Sequence, residues 1–135
     1  MGNKSALPVV LVLALAACAP PQPSVTPLTP EAKEYTRYLD LSGVEMKSTE
    51  TYLKQTVTEI EGNIQNQGNR VLRSVEIVCV FYDAYGQVVL RERVPIVKGA
   101  LQPGATRAFR LAFDTIPASW NNQMPRLVIA AITFA

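Results

Sequence analysis

The chain has 135 residues, 48% of them apolar and 18% charged, which is a typical composition for one globular domain. Its formal net charge is +2 and no basic stripe with interleaved aromatic residues occurs, so the composition gives no reason to expect a nucleic-acid partner. Histidine is absent, which excludes Ser-His and Cys-His catalytic pairs and histidine metal ligands.

The first 17 residues have the features of a secretory signal peptide. Lys4 supplies a positive charge, the run from Leu7 to Ala17 is apolar, and small residues precede Cys18. Eleven apolar residues are too few to span a bilayer, which takes about 20.

Leu15-Ala16-Ala17-Cys18 resembles the lipobox of bacterial lipoproteins. That resemblance implies cleavage before Cys18, acylation of its thiol, and membrane lipid as a partner of the mature N-terminus. Ala19, rather than aspartate, follows the cysteine, which favours the inner leaflet of the outer membrane over the inner membrane. The alternative is an ordinary secretory signal cleaved near Ala17 or Ala19, with Cys18 incidental.

Residues 18–30 are expected to form a linker. Five prolines and no charged residue lie between Ala19 and Pro30, so this stretch cannot build a core and is predicted to be extended over roughly 35 Å. Thr29-Pro30-Glu31 has the sequence of a helix start, with a hydroxyl N-cap and proline at the first helical position. We therefore predict a short helix from Pro30 to about Tyr38, assigned to residues 31–39, before a domain over 40–135.

The stretch from Val71 to Val89 predicts a central strand and a hairpin. Apolar residues alternate onto both faces of the strand, which indicates a strand covered on both sides. Asp83-Ala84-Tyr85-Gly86 then supplies turn residues. Asp83 either caps this turn, which we favour, or ligates a cation.

The remaining segments predict an antiparallel immunoglobulin-like β-sandwich of six to seven strands. Gly62, in the strand predicted from Leu53 to Asn66, indicates a bulge or a close crossing. Other predicted features are an irregular first strand around Leu41–Met46, a strand with an edge or bend at Pro95, a turn at 101–104, an alternating strand at 105–113, a loop at 116–125, and a strand at 127–134 that is apolar on both faces.

Three segments resemble the FxLYD-type domain, a small extracytoplasmic β-sandwich of bacterial and archaeal lipoproteins and membrane-anchored proteins. The resemblance covers about residues 50–134 and carries no catalytic assignment. Cys79 stands where the family has Phe, and Phe81 where it has Leu. The matching segments are Ile60-x-Gly62-x-Ile64-x-Asn66, Cys79-Val80-Phe81-Tyr82-Asp83 followed by Gly86, and Leu101-x-Pro103-Gly104 with Phe109.

Few residues offer chemistry. Cys79 lies mid-strand between two valines and is expected to be an inert core residue, and the scattered carboxylates predict no metal site and no cofactor. Tyr85 and Trp120 are the candidate partner contacts, because loops carry binding on sandwich scaffolds. For Trp120 a second interpretation, which we favour, is that it plugs the open end of the sandwich.

Arg91 and Arg93 share one strand face, and Arg110 is expected near them across the sheet, either as a solvated face or toward an anionic partner.

The sequence therefore predicts a non-enzymatic envelope lipoprotein that faces the periplasm and either binds another envelope protein or supports an assembly. The alternative is a periplasmic binder of a small molecule or lipid in a cleft between the sheets. An enzyme that uses Cys79 ranks third.

Overall fold

The computed structural model describes residues 28–135, together with Gly2; the predicted signal peptide, Cys18 and most of the proline-rich linker lie outside the described residues. In that range a short helix precedes six strands. The elements are α1 (Pro30–Tyr35) with a 3-10 turn (Thr36–Tyr38), β1 (Leu39–Glu50), β2 (Thr56–Asn66), β3 (Leu72–Tyr82), β4 (Val88–Leu101), β5 (Thr106–Phe113) and β6 (Arg126–Phe134).

The strands form two antiparallel three-stranded sheets that pack face to face. Sheet A has the order β1-β2-β5 and sheet B the order β4-β3-β6. The prediction of an all-β sandwich is confirmed, with six strands. No helix among residues 28–135 is long and apolar enough to cross a membrane.

The inner face of β3 forms the centre of the core. Val75, Ile77, Cys79 and Phe81 alternate along it and all have no solvent exposure. They pack against sheet A, where Ile60 and the other inward residues of β2 and β5 complete the apolar interior.

The prediction that both faces of β3 are covered is wrong. β3 is central, but nothing among residues 28–135 packs on the outer face of sheet B, because six strands make only two layers. Val78 and Tyr82 on this face are half-buried. Val80 is 9% exposed, since its register partners Arg91 and Arg126 flank it on the neighbouring strands.

Gly62 marks a close approach inside sheet A, as its position in β2 predicts. It pairs with Phe109 of β5, and a Cβ atom at Gly62 would lie 2.7 Å from Phe109 Cζ. The bulge lies in the neighbouring strand β1, between Ser42 and Glu45, where Gly43 takes a φ of +60°. The absence of a side chain at Gly62 therefore gives the Phe109 ring its place in the core.

Helix α1 begins where the cap residues predict. Thr29 Oγ1 accepts a hydrogen bond from the Ala32 amide at 3.1 Å, and Pro30 occupies the first turn. The helix and its 3-10 turn end at Tyr38, and Leu39 starts β1.

Asn66, at the end of β2, fastens the helix to the sandwich. Its buried side-chain oxygen accepts from Tyr35 Oη at 2.7 Å and from the Gly68 amide at 3.1 Å. Its Nδ2 donates to the carbonyls of Arg70 at 2.7 Å and Leu101 at 3.2 Å. One amide therefore joins α1, the β2–β3 turn and the end of β4.

Asn66→Ala should lower the free energy of unfolding by about 3 kcal/mol, since it leaves buried donors and acceptors without partners. Urea denaturation of the purified protein measures this change. Asn63→Ala is the matched control, because Asn63 faces outward on β2 and has no side-chain hydrogen bond with the described residues; its effect should stay within about 0.5 kcal/mol. Equal losses for both variants would contradict the role of Asn66.

Candidate functional site

Three loops gather at the end of the sandwich opposite helix α1. They are the β1–β2 loop (51–55), the β3–β4 loop (83–87) and the β5–β6 loop (114–125), and we call this region the distal end. The alternating strand directions put these loops together, whereas α1 and the β2–β3 and β4–β5 turns lie at the helix-proximal end. An 11-residue strand separates the two ends by about 35 Å.

The β3–β4 loop presents Tyr85 to solvent. Asp83 Oδ1 accepts hydrogen bonds from the amides of Tyr85 and Gln87, both at 2.8 Å, and Gly86 takes a φ of +77°. The favoured reading of Asp83 as a turn cap is thereby confirmed. With its backbone fixed in this way, the Tyr85 side chain is 89% exposed.

The β1–β2 loop exposes two further large apolar side chains that the sequence reading missed. Tyr52 is 94% exposed and Leu53 is 66% exposed. Leu53 was expected to begin β2, but the loop closes first: the Thr51 amide donates to the Gln55 carbonyl at 2.8 Å, and Lys54 takes a φ of +60°. The sequence feature that indicates this surface is the pair of apolar residues Tyr52 and Leu53 beside a polar turn.

Trp120 holds the β5–β6 loop against the core. Its ring meets that of Phe81 edge to face, with centroids 5.6 Å apart, and its backbone forms a bridge with Asp83. The following amide, Asn121 N, donates to the Tyr82 carbonyl at 2.9 Å. Trp120 is half-buried and packs on Phe81, so it plugs the end of the sandwich, as the favoured interpretation predicts. Tyr85 is the more exposed of the two candidate contacts.

A cleft of about 280 Å³ opens at the distal end beside Trp120. Hydroxyls of the β1–β2 stem form one wall, the β5–β6 loop forms the other, and Phe113 also lines it. Trp120 Nε1 is buried and has no hydrogen-bond partner among the described residues. The cleft lining includes Ser48, Thr56, Thr58, Asp114, Ile116, Pro117 and Asn122.

The three arginines that the sequence groups together divide between the outer faces of the two sheets. Arg110 lies on sheet A, where it and Lys47 form ion pairs with Glu59 and Glu61. Arg91 and Arg93 lie on sheet B, and Arg93 pairs with Glu76 at 2.7 Å. The expectation that Arg110 lies near Arg91 and Arg93 is therefore wrong, because β5 belongs to the other sheet.

The described residues offer little support for nucleophilic or metal chemistry. Cys79 has no solvent exposure, and burial, together with the nearby charge of Glu92, raises the pKa of its thiol to about 12. A thiol in that state is neither reachable nor ionised at neutral pH. Within residues 28–135 no group of three or more His, Cys, Asp or Glu is placed to hold a metal ion.

The raised pKa of Cys79 predicts both its reactivity and a pH effect. In a Cys18→Ser chain at pH 8, Ellman's reagent should leave the native thiol unmodified and react once urea unfolds the protein. The unfolded thiol ionises near pH 9, below its folded pKa of about 12, so stability should fall as pH rises through this window. At pH 10 the ionisation of Cys79 in the unfolded chain should lower the free energy of unfolding by about 1–2 kcal/mol. The Cys79→Ala variant should not show this loss. Rapid labelling of the native protein would contradict this assignment.

Comparison with known proteins identifies no family or relative for this chain. No protein-family model matches the chain, and searches of curated proteins and of solved structures found no match. The resemblance to the FxLYD-type domain stays a prediction from the sequence.

Proposed function

We propose that this chain is a non-enzymatic envelope lipoprotein, held to the membrane through acylated Cys18, whose distal end binds another envelope protein. The observation that carries the proposal is the exposure of Tyr52, Leu53 and Tyr85 on loops that a rigid sandwich fixes at one end. Large aromatic side chains on fixed loops bind partners well, because they bury much area and lose little side-chain entropy.

The place where the predicted linker joins the sandwich also supports this proposal. Leu28 leads into α1, which Tyr35 fastens at the helix-proximal end. That end of the sandwich is opposite the three distal loops. Cys18, Ala19 and the proline-rich stretch supply the expected anchor, outer-membrane placement and spacer by their sequence alone.

A small-molecule binder is the second candidate, and the distal cleft beside Trp120 is the observation that favours it. The space between the sheets is a weaker place for such a ligand, because Phe81, Phe109 and Phe113 fill it with at most 8% exposure each. A ligand in the cleft would meet the polar side chains that line it, among them Ser48, Thr56 and Asn122.

The exposed tyrosines should decide partner binding. Tyr52→Ala and Tyr85→Ala, alone and together, should reduce capture of the partner from envelope extract at least tenfold for the double variant, while the circular dichroism spectrum is unchanged. Lys98→Ala is the control, because Lys98 is exposed on β4, which meets the helix-proximal end at Leu101. Trp120→Ala is a poor probe, since Trp120 packs on Phe81.

Unchanged capture by the double variant would refute the distal end as the binding surface. Native mass spectrometry tests the second candidate. A small molecule that co-purifies with the unaltered protein would favour it, provided that the molecule is lost when Thr58→Val removes a hydroxyl from the cleft lining.

The anchor has its own test. Cys18→Ser should abolish labelling by a palmitate analogue and move the protein from the membrane fraction to the soluble fraction, because stable anchoring requires the acyl chains. Cys79→Ala is the matched control and should keep both label and membrane association. Absence of label on the unaltered chain would support the ordinary secretory signal.

A further inference from the structure

The outer faces of the two sheets carry opposite charge. Strand register identifies the side chains that share a face, because paired residues point to the same side of a sheet. At these register positions sheet A has four carboxylates and two cations, a net charge of −2, and sheet B has one carboxylate and four cations, a net charge of +3. Glu92 is not among them, since it pairs with the inward residue Cys79. The charged residues are Asp40, Glu45, Glu59, Glu61, Lys47 and Arg110 on sheet A, and Glu76, Arg91, Arg93, Lys98 and Arg126 on sheet B.

Three arginines lie around Val80 on the outer face of sheet B. Arg91 and Arg126 are the register partners of Val80 on the two neighbouring strands, so their Cα atoms lie about 10 Å apart. Arg93 follows Arg91 on the same side of β4. We call Arg91, Arg93 and Arg126 the arginine cluster. Because the three cations lie so close together, they repel one another.

The chain itself neutralises little of this charge. Glu76 forms an ion pair with Arg93 at 2.7 Å. Arg91 and Arg126 are exposed, and neither forms an ion pair with any of residues 28–135. On the outer face of sheet A, by contrast, both cations meet carboxylates. The arginine cluster therefore favours an anionic partner from outside the described chain.

Apolar side chains are interspersed with the arginines. Val88 is 42% exposed and Val128 is 40% exposed. Val78 lies between Arg93 and Val128 in the register, and Tyr82 is the partner of Val88. A basic face that also presents valine and tyrosine side chains offers both charge and apolar contact, which is the combination that membrane interfaces bind.

We propose that the outer face of sheet B lies on an anionic lipid bilayer, with the arginine cluster at the level of the headgroup phosphates. The choice of a bilayer as the occupant rests on the proposed lipid anchor, which would hold the domain beside a membrane.

The opposite charge of the two faces favours a bilayer over an acidic protein. An anionic surface attracts the outer face of sheet B and repels that of sheet A, so it orients the whole sandwich with one flat side down. A docked protein would require only the basic face. The predicted linker is roughly 35 Å long and the two sheets are about 10 Å apart, so the tethered domain can lie on its side.

The expected affinity of this face is modest. Each basic side chain near an anionic membrane strengthens binding about fivefold, so a net charge of +3 strengthens it about a hundredfold. Binding of this strength fits a tethered domain, because the anchor keeps the local concentration of lipid high.

Vesicle binding is the first test, made with the full chain carrying Cys18→Ser. It should bind vesicles of phosphatidylglycerol and phosphatidylcholine in equal parts at least tenfold more tightly than vesicles of phosphatidylcholine alone, and about 500 mM salt should abolish the difference. Arg91→Gln with Arg126→Gln should weaken binding to the anionic vesicles at least tenfold. Lys47→Gln with Arg110→Gln is the matched control, because it removes the same charge from sheet A, and it should change binding less than about threefold.

A fluorescent label tests which face meets the lipid. Thr133→Cys on β6 and Thr106→Cys on β5 each add one exposed thiol, on the outer faces of sheets B and A, while Cys79 is buried. A nitrobenzoxadiazole dye on residue 133 should shift to the blue when anionic vesicles are added, whereas the same dye on residue 106 should not. These chains keep every arginine, so they test the face even if circular dichroism shows that an arginine variant is unfolded.

Equal binding to the two kinds of vesicle would overturn the inference, as would equal weakening by the two double variants or an equal shift at residues 106 and 133. Unchanged vesicle binding by Arg91→Gln with Arg126→Gln, together with loss of an acidic protein, would assign the face to that protein and overturn it as well. Because these chains lack Cys18, failure here is distinct from failure of the anchor, which the palmitate label reports.

Discussion

The burial of the inner face of β3 is the constraint on which the fold depends. The two sheets share no strand pairing, so apolar packing holds them together, with Val75, Ile77, Cys79 and Phe81 at its centre. Burial of four side chains of this size contributes several kcal/mol, comparable to the net stability of a small domain. The other strands pack against this face, and this packing determines how deeply each of them is buried.

The core extends from β3 into the distal end through three aromatic rings. Phe81 meets Phe113 at 5.1 Å and Trp120 at 5.6 Å, both edge to face. This contact fixes the long β5–β6 loop on the sandwich, and the Asp83 turn fixes the neighbouring loop through backbone hydrogen bonds. Tyr85 is therefore 89% exposed on a backbone that these contacts hold in place.

The two ends of the molecule thus have opposite character. At the helix-proximal end Asn66 and Tyr35 saturate the polar groups and close the core. At the distal end large apolar side chains remain in solvent, and along the edge strands β1 and β6 most of the inward residues are only half-buried. The distal loops are therefore the surface to which the proposed function assigns a partner.

Local sequence alone determined the strands, the turns and the cap. Alternation of apolar side chains located Phe109 and Phe113 on an inner face, Thr29-Pro30 located the start of the helix, and Asp83 with Gly86 located the hairpin turn, because each depends on backbone preferences within a few residues. Gly62 signalled a close approach, although only the pairing with β5 identified Phe109 as the residue that approaches.

Tertiary structure decided which strands became neighbours, and with that the nature of each surface. A period of two residues shows which side chains share a face but not what covers that face, so the outer side of β3 was wrongly expected to be buried and Arg110 was placed with the wrong sheet. The same limit applies to Leu127–Phe134, which reads as a strand buried on both faces until its position at the edge of sheet B is known. Long-range packing, which no local pattern encodes, places that apolar strand at the edge of the sheet.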